Sequence, residues 1–187
     1  MGHTQMAQHL GALGPNTQLN AACASGSQAI SIATDWIGAG RCKRVLVISA
    51  DDVTYRGNLE WIGSGFLASG AATTLGVVED AAVPFGKTRN GMILGSGAAA
   101  FVVEAGGQCE ARGLEPISRI ITTHIGNSGF HATRLEPLTI RQAFKKVAEQ
   151  LSRYSGLSTP ELAGELVFMS HETYTPARGG SSAAEVD

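Results

Sequence analysis

Cys23 is the side chain best placed by its neighbours to do chemistry. It stands in the run Asn20-Ala21-Ala22-Cys23-Ala24-Ser25-Gly26, which reads as the junction between a short extended segment and a helix. A thiol at such a junction is a candidate nucleophile, because the positive end of the helix and its free backbone N–H groups favour the thiolate. The flanking alanines, serine and glycine leave room for a substrate to reach the sulfur. The plain alternative is a small, buried, inert side chain. Cys42 and Cys109 have no comparable flanks and read as structural. His171, after the apolar run Leu166–Met169, would sit at a strand end, where a lone histidine is most often an ordinary hydrogen-bonded residue. His131 lies in the loop-like stretch Asn127-Ser128-Gly129-Phe130-His131, whereas His3, His9 and His124 have no setting that suggests a role.

Three cysteines are an odd number without CxxC spacing, which argues against a disulfide framework and a zinc site and predicts a reduced, cytoplasmic setting. The formal charge of −2 with 43% hydrophobic residues suits a globular chain with one sizeable core. No Lys/Arg stripe is present to neutralise phosphates, so nucleic acid is not an expected partner. No stretch approaches the roughly 18 apolar residues that a membrane span requires, and none is expected.

The elements that must position these residues alternate. The spacing of Ala29, Ile30, Ala33, Trp36 and Ile37 predicts a helix over 24–38, entered from a strand over 17–20. The β-branched run Arg44–Ser49 predicts a strand buried on both faces of a parallel sheet. A helix over 56–68, strands over 73–78 and 98–104, and an intervening loop with Pro84, Lys87, Arg89 and Asn90 follow. After the polar stretch ending at Gly113, the pattern predicts a strand over 117–125, a helix over 138–154 and a strand over 166–169. The reading is a layered α/β architecture of two related halves, 1–113 with the nucleophile and 114–187 with the histidine.

The segment Asn20–Ile30 resembles the nucleophile motif of the thiolase superfamily. Within that superfamily, Ser170-His171-Glu172-Thr173-Tyr174-Thr175-Pro176 is similar to the His-Gly-Thr-Gly-Thr motif of elongating β-ketoacyl synthases. Arg89–Ala98 resembles their Arg-Asp-Gly-Phe-Val-Leu-Gly-x-Gly-Ala segment. Glu172 and Tyr174 stand where the His motif has glycines. The resemblance implies an incomplete thiolase-like α/β/α/β/α fold of two halves, covering the middle of a synthase, with a later Lys and a second His beyond Asp187.

By the same resemblance, Cys23 accepts the acyl group and His171 stabilises the enolate of a malonyl-type extender. Thr173 and Thr175 contact the phosphopantetheine arm, His131 lines the entrance, and Glu185 positions the later Lys. No metal or redox cofactor is implied. The substrates are acyl and malonyl thioesters carried on the phosphopantetheine of an acyl carrier protein or of coenzyme A, and the assembly is a homodimer. Two other readings are a thiolase acting on coenzyme A thioesters, which the His171 segment disfavours, and a non-catalytic synthase-like partner subunit, which Cys23 disfavours.

Overall fold

The computed structural model describes residues 2–129, 136–172, 174 and 175. They form two compact units, one drawn from 1–50 and 98–125 and the other from 51–97 and 126–187.

In the first unit, helix α1 spans Gly2–Leu10 and helix α2 spans Ser25–Gly38. Strand β1 runs over Arg44–Asp52 and strand β2 over Ser96–Glu104, and the two pair as a two-stranded sheet. The Ala105 amide donates to the Lys43 carbonyl at one end, and the Ser96 hydroxyl donates to the Asp52 carboxylate at the other. The pair is therefore antiparallel, with Val45 opposite Val103. The alternation of side chains across a strand sends Val45, Val47 and Val103 to one face, where they pack on Ala33, Ala29 and Ile37 of α2. Ala33 is fully buried, so only a side chain this small lets the helix settle on the sheet.

The opposite face carries Leu46, Ile48 and Val102, all exposed. This corrects the expectation of a parallel strand buried on both faces. An apolar run records a preference for burial but says nothing about the direction or identity of its partner. At the edge of the sheet, the Glu104 carboxylate takes Arg44 at 2.9 Å and Arg112 at 2.5 Å, which joins the short 3₁₀ turn Glu110–Arg112 to the strand end.

In the second unit, a π-helical turn over Leu59–Gly63 runs into helix α3, Ser64–Ala68. Helix α4 is Val78–Ala81, α5 is Pro137–Ser155 and α6 is Thr159–Glu165. Phe144 of α5 meets Phe168 edge to face, with ring centroids 5.3 Å apart.

Helices over 24–38, 56–68 and 138–154 and the strand over 98–104 match the expected pattern closely. Helices α1, α4 and α6 were not foreseen from the sequence. Four expected strands, over 17–20, 73–78, 117–125 and 166–169, are not strands among the described residues. A strand exists only if a neighbour completes its ladder, and here local bonds intervene. Around Thr73, the Asn90 side chain takes the Thr74 amide, which diverts a ladder donor. Over 117–125 no partner strand is present among the described residues, and the segment is tied to α2 by a bond between the Thr123 hydroxyl and that of the buried Ser31, at 2.8 Å. Val167 and Met169 are largely exposed, so the expected buried strand before His171 is absent.

Candidate active site

Cys23 belongs to the first unit and is exposed, two residues before the first residue of α2. The junction is made by a tight turn. The Ala24 amide donates to the Ala21 carbonyl at 3.0 Å, and the Ser25 amide donates to the Ala22 carbonyl at 3.1 Å. Ser25 also closes the turn through its side chain, accepting from the Ala21 amide at 2.8 Å and donating to the Ala22 carbonyl at 2.7 Å. Asn20 accepts from the Ala22 amide. These bonds hold Ala22 at φ +49°, a left-handed conformation that costs an L-residue about 1–2 kcal/mol.

The turn presents the thiol outward at the start of the helix, and no side chain caps that helix end. An uncapped N-terminus leaves its positive end available to a thiolate or to an oxyanion formed beside it. Gly26, one turn into this region, lies over Ser49 of β1, where an added Cβ would make only ordinary contact, at 3.5 Å. The sheet thus supports the nucleophile's helix from below. The expected entry strand over 17–20 is not formed, and an isolated bridge joins Ala21 and Cys23 just after it.

His171 and Thr175 belong to the second unit, His171 exposed and Thr175 half-buried. The same unit contains Arg89–Gly97 of the second motif, and the structure links the two motifs directly. Asn90 Oδ1 accepts from the Thr73 hydroxyl at 2.9 Å, the Thr74 amide at 2.8 Å and the Thr74 hydroxyl at 3.2 Å. All three bonds use the oxygen, so an Asp, as in the synthase segment, would serve equally. Next to it, Ala72 and Met92 form an isolated bridge. Gly91 lies at φ +144°, and an added Cβ would stand 2.6 Å from the Ala72 carbonyl carbon. Glycine is required there by both conformation and space.

This anchoring sets Arg89, whose Nη1 donates to the Gly86 carbonyl at 3.1 Å and whose Nε lies 3.8 Å from a carboxylate oxygen of Glu172. The Glu172 side chain is 5% exposed. Its Oε1 also accepts from the Tyr174 amide at 3.0 Å, and Tyr174 sits at φ +59°, the region for which glycine is the usual residue. The Arg89–Glu172 pair was not anticipated from the sequence, although a carboxylate in place of a motif glycine was its signal.

Thr173, His131 and Glu185 lie outside the described residues. Cys23 falls in one unit and His171 with Thr175 in the other. An open hollow of about 420 Å³ beside α2 is lined by Thr17, Leu19, Ile32, Asp35, Trp36, Ala39 and Arg41 and does not include Cys23. All three cysteines are free. Among the described residues no cluster of three or more His, Cys, Asp or Glu could hold a metal ion, and no helix is long and apolar enough to cross a membrane.

Residues 1–108 match the family described as β-ketoacyl synthase, N-terminal domain. The chain is 29% identical over 138 residues to a 3-oxoacyl-(acyl-carrier-protein) synthase 2 of Staphylococcus aureus, covering 73% of this chain and 33% of that protein. It is also 29% identical over 129 residues to nodulation protein E of Rhizobium meliloti, covering 69% and 30%. The chain thus spans about a third of the length of these curated relatives.

Among solved structures, a β-ketoacyl synthase from Burkholderia phymatum superposes with a TM-score of 0.71 at 27% identity, over 88% of this chain and 38% of that one. A type II polyketide ketosynthase, solved with its acyl-carrier protein and bound to a hexaketide, gives a TM-score of 0.68 at 22% identity, over 94% and 41%.

Proposed function

The chain belongs to the β-ketoacyl synthase family and has its thiolase-like α/β fold, and from that premise we propose that it carries the acyl-accepting nucleophile and the enolate-stabilising histidine of a decarboxylative condensation. The observation that carries the proposal is the exposed Cys23, turned outward by a strained Ala22 at the uncapped start of α2.

Cys23 Sγ attacks the carbonyl of an acyl thioester. The carbonyl oxygen, briefly an oxyanion, is met by backbone N–H groups at the helix start. The carrier thiol leaves with a proton, and the acyl group stays on the sulfur. A malonyl-type thioester then loses carbon dioxide, and His171 donates a hydrogen bond to its thioester oxygen as negative charge builds there. The resulting carbanion attacks the acyl carbonyl on Cys23, releases the thiolate and yields a β-ketoacyl thioester. Neither half-reaction consumes a redox equivalent or calls on a metal.

Thr173 and Thr175 would hold the phosphopantetheine arm, with His131 near its entrance and Glu185 in a supporting position. The partner would be an acyl carrier protein, with coenzyme A as the other carrier chemistry, and the working assembly a cytoplasmic homodimer. The test is intact-mass spectrometry after incubation with an acyl-carrier thioester, wild type beside Cys23→Ala. One acyl mass on the wild type alone is the expected result. A folded wild type that takes no acyl group would overturn the assignment and favour a non-catalytic partner subunit.

A further inference from the structure

Both glycine positions of the His171 motif are occupied here by side chains, Glu172 and Tyr174, and the structure joins the two. Tyr174 keeps a left-handed backbone, at φ +59°, although a side chain disfavours it. The carboxylate two residues earlier accepts its amide N–H at 3.0 Å. That carboxylate is itself almost fully buried, and Arg89 faces it from the Gly91 loop at 3.8 Å. Arg89 is fixed in turn by the Gly86 carbonyl at 3.1 Å.

Two atoms of this arrangement, Glu172 Oε2 and Arg89 Nε, are buried without a hydrogen-bond partner. A pair with one carboxylate buried, an arginine half-buried and an unsatisfied atom on each is a poor way to gain stability, and its bond to the Tyr174 amide points to a positional task. We propose that Glu172, held by Arg89, is a positioning residue: it substitutes for a glycine at position 174 by fixing the turn there, and so sets where His171 and Thr175 stand for the extender thioester. This rests on the condensation reading above. Neither Glu172 nor Arg89 is assigned contact with the reacting atoms.

The test uses the intact protein and separates the two half-reactions, acylation of Cys23 read by mass and decarboxylation of malonyl-coenzyme A read by product formation. Glu172→Ala is expected to lower kcat for decarboxylation roughly tenfold to a hundredfold, the scale of a displacement near 1 Å at a reacting centre, while Cys23 acylation stays near the wild-type rate. Adding Tyr174→Gly to Glu172→Ala is expected to recover most of the loss, because glycine holds a positive φ without help. Decarboxylation unchanged in Glu172→Ala, or a loss that Tyr174→Gly fails to recover, overturns the proposal.

Failure of Cys23 to take an acyl group at all would instead overturn the functional reading. The coupling is then still read from thermal unfolding. Glu172→Ala lowers Tm further when residue 174 is Tyr than in a Tyr174→Gly background, where only the loss of Arg89's partner remains; an equal drop in both backgrounds removes the basis of the proposal.

Discussion

At the scale of single residues, the candidate site depends on backbone conformations that most side chains avoid. Ala22 before the nucleophile and Tyr174 after the histidine both adopt positive φ, and each is held by hydrogen bonds from its own turn. Strain of this sort persists only where the surroundings over-determine it. Gly91 is the sharper case, since both its φ of +144° and the 2.6 Å approach to Ala72 forbid a side chain. Gly91→Ala should therefore destabilise the second unit by at least about 2 kcal/mol, in the upper range for a single substitution. Equilibrium denaturation measures it. A loss below about 0.5 kcal/mol, the range of ordinary surface changes, would show that the loop shifts freely and does not fix Arg89.

The elements show how the chain starts its helices and why that matters for pH. Glu136 caps α5, accepting from the Thr139 amide at 2.7 Å and the Thr139 hydroxyl at 2.9 Å. The amide bond first and the hydroxyl bond second hold its carboxyl below the usual glutamate range. Glu161 is lowered likewise at the start of α6, by the Ser158 hydroxyl and then the Ser158 amide. A carboxylate whose folded value is depressed stabilises the fold above its unfolded value, and that contribution is lost as pH falls through the folded value. Hydrogen exchange of the first turn of α5 should therefore quicken as pH drops below about 4, the ordinary glutamate range, beyond the intrinsic pH dependence of exchange. In Glu136→Gln the first turn should already be loosened at neutral pH and show little further change. An unchanged response in that variant would assign the acid sensitivity elsewhere.

For the molecule as a whole, the covered and uncovered faces of the sheet differ. Ala33, Val47 and Val103 are buried beneath α2, whereas Leu46 is 42% and Ile48 44% exposed on the other face. An apolar face of this kind binds amphiphilic dyes. The 187-residue chain should brighten anilinonaphthalene sulfonate, and Leu46→Thr with Ile48→Thr, which keeps strand preference, should remove most of that signal. Equal fluorescence from both proteins would mean that the face is covered in solution.

The setting of Cys23 was legible in the sequence. The small residues around Cys23 and the helical spacing from Ala29 to Ile37 put a thiol at a helix start, because side-chain size and 3.6-residue periodicity are local properties. The motif around His171 was legible only through its resemblance to the synthase motif. Tertiary structure alone decided the rest. It made β1 and β2 antiparallel, left the runs at 73–78 and 166–169 outside any strand, and brought Arg89 to Glu172, 83 positions later in the sequence. A run of apolar residues states that it prefers burial, and a carboxylate that it needs a partner, but which neighbour answers is settled by long-range packing and by competition from nearby hydrogen bonds.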